Sequence, residues 1–282
     1  NAAAYEGLQK IESELNAKVS YSEKVAVVDA EPALRDYATQ GYNLVLCHSL
    51  EYGDAVMNVA PDFPNTKFVV YTGSVEADNV ASISLNEHET GYLVGMVAAS
   101  VSESGKIGVI LGGDYPSMIR ISEAYKLGAK VINPDITVYD VAIGTWSDME
   151  KGKEAALSQI ENGADVLYHV ADGAGLGMIA AAKEKGVYAI GSSSDQTGAA
   201  PGTVITNSLD FAPNAYLSVA KSVQDNSFKG GIVKLGLADN AIDVNPFADV
   251  VPADIVKQVK ESRQQIIDGN LVVPEIFERT NG

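Results

Sequence analysis

The chain has 282 residues, 46% of them hydrophobic, and a formal net charge of −17. That length suits two domains of roughly 130 residues each better than one. The acidity argues against a nucleic-acid partner, because a phosphate backbone needs a clustered basic footprint and no Lys/Arg cluster occurs. The best apolar run, YLVGMVAASV, is about half the ~18 residues that a bilayer span requires.

Short β-branched runs alternate with longer amphipathic stretches along the whole chain. The pattern predicts a helix over 2–16, a strand over 18–28, a helix over 30–40 ended by Gly41, a strand over 43–48 and a helix over 51–61. Strands follow at 67–72 and 80–85, then a helix at 88–102. Next come strand 106–111, helix 116–130 opened by Pro116, strand 136–142, helix 149–162 ended by Gly163, strand 164–170 and helix 175–186. Strands 187–191 and 203–208, helix 210–225, strand 231–237 and helix 253–268, ended by Gly269, complete the list. Such alternation predicts an α/β protein with parallel sheets.

The two halves resemble each other. TQGYNLVLCHSLEYGDAVMNVA lies over IENGADVLYHVADGAGLGMIAAA, with Gly41 and Gly163, and Gly53 and Gly175, each 122 residues apart. Each segment is a strand, a short loop and a helix leading into another strand, so two similar lobes are expected. The second half opens on a strand, KIGVIL, before helix 116–130; the first half opens directly on its helix. A central strand of the first lobe is therefore expected to lie outside the sequence, together with any targeting segment.

In open parallel sheets, ligands bind at the carboxyl ends of strands, where loops converge and helix N-termini present N–H groups. The corresponding loops carry His48, Ser49 and Tyr52, then Thr72, Asp114, Trp146, Asp172 with Gly173, and Ser193 with Asp195. Tyr168, on the strand leading to one of them, joins the candidates. Small residues, hydroxyls, carboxylates and aromatics without Lys or Arg suit a neutral, planar ligand held by hydrogen bonds and stacking, and do not suit phosphate. Trp146 also reads as a packing residue, and Asp114 and Asp148 as helix caps.

Catalytic readings find little support. GAGLG at 173–177, with Asp195 downstream, approaches a dinucleotide fingerprint and keeps an NAD-dependent enzyme as a remote alternative, but the spacing is not GxGxxG. His48, His88 and His169 do not pair at metal-ligand spacing, so neither metal nor cofactor is expected. Cys47, the single cysteine, lies in an apolar run and reads as core packing.

NxxAYEGL at the start, NEHETGYLVGMVAA, INPDITV, GTWSD, the run KGKEAALSQIENGADVLYHVADGAGLGMIAAAKEKG, YAIGSSSDQ and APGTVITN together resemble the basic membrane protein (BMP) family, substrate-binding lipoproteins of ABC importers. The resemblance covers nearly the whole chain. It implies a type I periplasmic-binding-protein fold: two Rossmann-like lobes, with parallel sheets joined by three crossovers, closing on ligand by a hinge. Crossovers near 104–106, 206–208 and 232–234 would make lobe I 1–104 plus 207–232 and lobe II 105–206 plus 233–282. It further implies an extracytoplasmic, monomeric protein, lipid-anchored through an upstream cysteine and partnered by an ABC permease. Asn1 would end a family segment whose stacking Phe precedes the sequence.

The departures from the family pattern are informative. Nucleoside receptors of the family carry a carboxylate where this chain has Ser193 and a Lys where it has Ala238, both holding ribose hydroxyls. The family often has Asp at the position of Thr72 and Gly at that of Asp172. Loss of a sugar-clamping charge pair, without an orphan charge left behind, points to a purine base or related heterocycle in the inter-lobe cleft, a nucleoside being the nearer variant. A ligand-sensing receptor of the same fold without transport is the alternative.

Overall fold

In the computed structural model, which describes residues Ala2–Thr280, the β-branched runs pair into two sheets. The first contains β1 (Leu44–Cys47), β2 (Lys67–Tyr71), β3 (Val80–Leu85) and β9 (Gly231–Leu235), side by side and all parallel. The second has the order β10-β8-β7-β6-β4-β5, built from β4 (Lys106–Leu111), β5 (Thr137–Ala142), β6 (Val166–Val170), β7 (Tyr188–Ser193), β8 (Val204–Asp210) and β10 (Ile242–Val244). Only β10 is antiparallel, at the edge on β8. The intervening helices are α1 (Ala2–Leu15), α2 (Ala30–Thr39), α3 (Gly53–Val59), α4 (Glu87–Val101), α5 (Pro116–Ile132), α6 (Met149–Glu161), α7 (Asp172–Lys185), α8 (Ala212–Gln224) and α9 (Ala253–Ile267).

The chain divides into two compact units. Unit 1 runs to Asn86 and resumes over Phe211–Ala241; unit 2 is Glu87–Asp210 and the chain from Ile242 on. The polypeptide thus passes from one unit to the other three times. Helix α4 goes with unit 2 because it packs on α5 at backbone distance. A Cβ on Gly95 would stand 2.1 Å from the carbonyl oxygen of Tyr125, and one on Gly128 1.8 Å from that of Tyr92. Only glycine permits such an approach, which explains two glycines inside helices they would otherwise weaken.

In unit 2, β4 is central. Ile107, Val109, Ile110 and Leu111 have no exposed surface, and β4 pairs with β5 on one side and β6 on the other. A clamp of charges closes the same unit. Lys126 Nζ lies 2.6 Å from Glu123 and 2.9 Å from Asp140, and Arg279, near the C-terminus, pairs with Asp140 and Asp114. Burial opposes the charge on Asp140, but hydrogen bonds from Arg279 and Lys126 hold its carboxyl below the usual carboxylate range.

The segment 18–28 corrects the sequence expectation of a strand. Residues 16–26 carry no helix or strand, and a short 3-10 turn covers Val27–Asp29. Ala17 and Val19 are half-buried while Lys18 and Ser20 are exposed, which is the period of a strand. No ladder forms because, among the described residues, no neighbouring strand receives its main chain: β1 is the edge strand of that sheet. Strand β10 carries only three residues, too short for a periodicity signal.

Candidate functional site

The loops at the carboxyl ends of the strands are described unit by unit. In unit 2, the loops after β4, β5 and β6 meet. The ring of Trp146 lies over Gly112, where an added Cβ would come within 2.5 Å of it. The N–H of Ala174, at the start of α7, donates to the Trp146 carbonyl at 3.1 Å. Gly173 is beside it, an added Cβ there reaching 3.5 Å from the same carbonyl oxygen. Trp146 keeps 38% of its surface exposed, so it packs on the loop with one face and offers the remainder.

Three carboxylates of unit 2, at helix starts and a strand end, influence one another's titration. Glu87 opens α4, Asp210 ends β8 and Asp172 opens α7. Burial, then the neighbouring charges of Asp210 and Asp172, push the Glu87 carboxyl up to about 8, with Arg120 acting in the opposite direction. Asp210 is pushed up to about 6, first by burial and then by Asp172, although it accepts a hydrogen bond from the Ser193 side chain. Partial burial also raises Asp172. A protonated carboxyl here both donates and accepts a hydrogen bond, whereas an ionised one only accepts.

Under the loop after β7 lies a buried polar network. His169 has no exposed surface, and burial lowers its pKa to about 4, leaving a neutral ring. Its Nε2–H donates to Gln196 Oε1 at 2.8 Å, which also accepts from the Ser192 N–H at 3.2 Å. The Gln196 N–H donates to Asn207 Oδ1 at 3.0 Å, and Asn207 Nδ2 donates to Asp195 at 3.2 Å. Asp195 also accepts from the Thr197 N–H at 2.9 Å, and hydrogen bonds from Thr197 hold it below its usual range. The network therefore fixes the shape of loop 192–197 from beneath.

The GAGLG run is part of this packing. It lies inside α7, which starts at Asp172, and not in a loop ahead of a helix. Gly175 makes room for His169, whose ring an added Cβ would meet at 1.9 Å, and Gly177 lets α7 approach the Met149 carbonyl of α6. These glycines serve close packing and not a pyrophosphate. Among the described residues no group of His, Cys, Asp and Glu is placed to hold a metal ion.

In unit 1, His48 follows β1 and stacks on Tyr71, at the end of β2, with ring centroids 5.1 Å apart. Tyr216 of α8 meets both rings edge-on, and its hydroxyl is hydrogen-bonded to His48 Nδ1. Burial lowers the His48 pKa. The Ser49 hydroxyl accepts from the Glu51 N–H at 3.3 Å as the cap of the following turn. Tyr52 donates to the Val25 carbonyl at 2.8 Å and so ties down segment 16–26.

Strand ends in both units share one backbone feature. Thr72 (φ 56°), just after β2, and Ser193 (φ 63°), at the end of β7, both adopt the left-handed region, and they are 121 residues apart in the repeat. Asp172 does the same at φ 43°. Non-glycine residues held there are strained, and such strain clusters at ligand-binding loops.

Of the residues proposed from the sequence, Trp146 and Gly173 are brought together in unit 2, with Asp172 next to Gly173 and Ser193 joined to the carboxylate group through Asp210. Asp195 stands a short step away on the loop that the buried network holds. Tyr168 is 1% exposed, inside the sheet with its ring 5.4 Å from that of Tyr125. Asp114 is held by Arg279. In unit 1, Thr72 is exposed, Ser49 and Tyr52 are bound as above, and Ala238 is exposed in a short turn over Leu237–Asp239. Asn1 lies outside the described residues. Sequence reasoning passed over Glu87, Asp210 and the triplet His169, Gln196 and Asn207. For Glu87, Asp210, His169 and Gln196 the signal was position, near the end of a strand or at the start of a helix or turn; Asn207 lies in the middle of β8 and carried none.

The comparisons with known proteins bear on this arrangement. Residues 1–276 match the family model Bmp, described as ABC transporter substrate-binding protein PnrA-like. The chain belongs to the Bmp family. The family is one of substrate-binding proteins of ABC transporters, not of enzymes, and such proteins bind small molecules outside the cytoplasm and work with a permease. The chain is 30% identical over 256 residues to a Bacillus subtilis protein named transcriptional activator protein med, covering 90% of this chain and 80% of that one. It is also 30% identical over 255 residues to a purine-binding protein of Brucella abortus, covering 90% and 72%. An ABC transporter system solute-binding protein from Conexibacter woesei superposes with a TM-score of 0.81 at 26% identity, over 99% of this chain and 94% of that one. The fold is accordingly that of the periplasmic-binding-protein-like solute-binding proteins, with parallel sheets in both units. No helix among the described residues is long and apolar enough to cross a membrane.

Proposed function

We propose that this Bmp-family protein binds a small, neutral, planar solute, a purine base or related heterocycle, and delivers it to an ABC permease from the outer face of the cell membrane. The observation that carries this reading is the group at the strand ends of unit 2. Unit 2 offers both an indole with 38% of its surface exposed and a group of carboxyls whose pKa values are raised toward neutrality, and none of the loops contributes a Lys or Arg. An aromatic face suits a planar ring. Carboxyls able to donate as well as accept suit the N–H and ring-nitrogen edges of a heterobase, and the same group repels anions. Similarity to a relative named as purine-binding supports the ligand class. Ser193 and Ala238, in place of a charged pair, support the base over the nucleoside. Single-chain action and lipid anchoring through an upstream cysteine, both implied by the family resemblance, belong to the same reading.

Calorimetry with adenine, guanine, hypoxanthine and the matching nucleosides tests it. The free bases are expected to bind, and more tightly than their nucleosides. Tighter nucleoside binding contradicts the base preference, and no heat with any of them contradicts the purine class.

A ligand sensor without transport is the second reading, favoured by the similarity to a protein named as a transcriptional activator. Uptake of the bound solute by cells lacking the gene separates the two: unimpaired uptake supports the sensor.

A further inference from the structure

The loop between β4 and α5 reads Gly112-Gly113-Asp114-Tyr115. Two successive glycines give its backbone more freedom than any other pair of residues would. Each is covered by a ring. Trp146 lies over Gly112, and the ring of Tyr115 lies over Gly113, where an added Cβ would come within 2.2 Å of it. Tyr115 is 56% exposed, so both rings offer surface to a partner while their seats depend on the path of a glycine loop.

The next residue, Asp114, is where the loop is tied. Its partner Arg279 belongs to segment 271–280, which forms neither helix nor strand and is fixed along α5 at several points. Val273 is buried, Arg120 donates to Glu275 at 2.7 Å, and the Thr280 hydroxyl is hydrogen-bonded to Glu123. The Arg279 guanidinium also reaches Asp140 of β5 at 3.2 Å, and that carboxylate is buried and lies 2.9 Å from Lys126. A line of alternating charges thus runs Glu123, Lys126, Asp140, Arg279, Asp114, from the interior of unit 2 to its glycine loop. An exposed ion pair by itself contributes little stability, but one end of this pair is already held by a network. Its effect therefore falls on the loop more than on the unit.

We propose that Arg279 is a positioning residue for ligand binding: it ties loop 112–115 to the buried Asp140 and so sets the Trp146 and Tyr115 rings for a planar solute. Its ligand side rests on the reading of unit 2 as the seat of a heterobase. A loop ordered before the ligand arrives does not have to be ordered at the expense of affinity. Arg279 suits this task because a planar guanidinium can bond two carboxylates at once, which an ammonium does less well.

The test compares Arg279→Gln, Asp114→Ala and the double variant, read by amide hydrogen exchange without ligand and by calorimetry with hypoxanthine. Asp114→Ala leaves the Arg279–Asp140 pair in place, so it keeps the test open should Arg279→Gln fold poorly. Each single variant is expected to speed exchange over 112–115 at least tenfold, leave β4 unchanged and weaken hypoxanthine binding about three- to tenfold, with the double variant no worse than either single one. Arg279→Lys is expected to recover part of the loss. Raising NaCl to about 0.5 M should speed exchange over 112–115 in the unaltered chain and leave Arg279→Gln unmoved. Unchanged exchange over 112–115 in both single variants overturns the proposal. Additive losses of affinity overturn it in favour of separate ligand contacts, and faster exchange throughout β4 and α5 overturns it in favour of a purely structural role. If the unaltered chain binds neither hypoxanthine, adenine nor guanine, the heterobase reading fails instead, and exchange over 112–115 alone decides whether Arg279 holds the loop.

Discussion

Units 1 and 2 repeat one βαβ plan but differ at the centre of the sheet. β6 of unit 2 is flanked on both sides, while its counterpart β1 ends the sheet of unit 1. The four side chains of β4 without exposed surface contribute about 1.5–3 kcal/mol each by burial, an upper bound for a compact unfolded state. Among the described residues, no strand makes the equivalent contribution in unit 1. Its neighbouring segment is coil, and Tyr21, Val27 and Val28 are 50% or more exposed close by. The same sequence period therefore yields a strand in one unit and coil in the other, because a strand is a property of a pair and not of a segment.

The largest expected effect concerns cooperativity. Denaturant unfolding should show two transitions, with unit 1 first, and amides of β1 should exchange at least a hundredfold faster than those of β4. A single transition with equal exchange would show that the central strand does not set the difference. A second, smaller effect should be confined to unit 2. Lys126→Met leaves Glu123 and Asp140 without their buried cation and is expected to cost roughly 3–5 kcal/mol by urea denaturation, confined to the second transition.

Two buried groups should give unit 2 opposing pH dependences. Glu87 has its pKa raised from 4.5 to about 8 in the folded state, so its contribution is fully present below 4.5 and is lost as pH rises toward 8. His169 has its pKa lowered from 6.5 to about 4, so its contribution is fully present above 6.5 and is lost as pH falls toward 4. Glu87→Gln should flatten the alkaline limb and His169→Gln the acid limb, each by roughly 2–4 kcal/mol across its window. An unchanged alkaline limb in Glu87→Gln would remove that carboxyl from the account. The smallest effect is common to both units. Thr72→Gly relieves a left-handed residue and should stabilise by about 0.5–1 kcal/mol, measured as a rise in Tm, whereas Ser193→Gly relieves the same strain but loses the hydrogen bond to Asp210 and should show a smaller rise.

Much of this fold was legible in the sequence. β-branched runs and Gly or Pro punctuation located the helices and nearly all the strands, and the constant offset between halves carried the repeat into space: Leu44 of β1 and Val166 of β6 are 122 residues apart, like the glycines. Segment 18–28 misled because periodicity reports which face is buried and says nothing of whether a partner strand is present. The candidate site was legible only as loops. Trp146, Gly173 and Ser193 could be read from their place after strands, whereas Glu87 and Asp210 could not. Their roles come from mutual proximity across elements far apart in sequence, and an Asp or Glu beside a helix start reads first as a cap. His169 looked like one of three scattered histidines, and only the fold shows that Gly175 opens space for its ring.

The central claim is that the strand-end loops of unit 2 hold a planar heterobase. Amide hydrogen exchange with and without hypoxanthine tests it most directly. Protection should appear over residues 112–115, 144–148, 172–175 and 192–197, with no slowing over α9. Protection confined to other parts of unit 2, or no protection at saturating hypoxanthine, adenine and guanine, would contradict it.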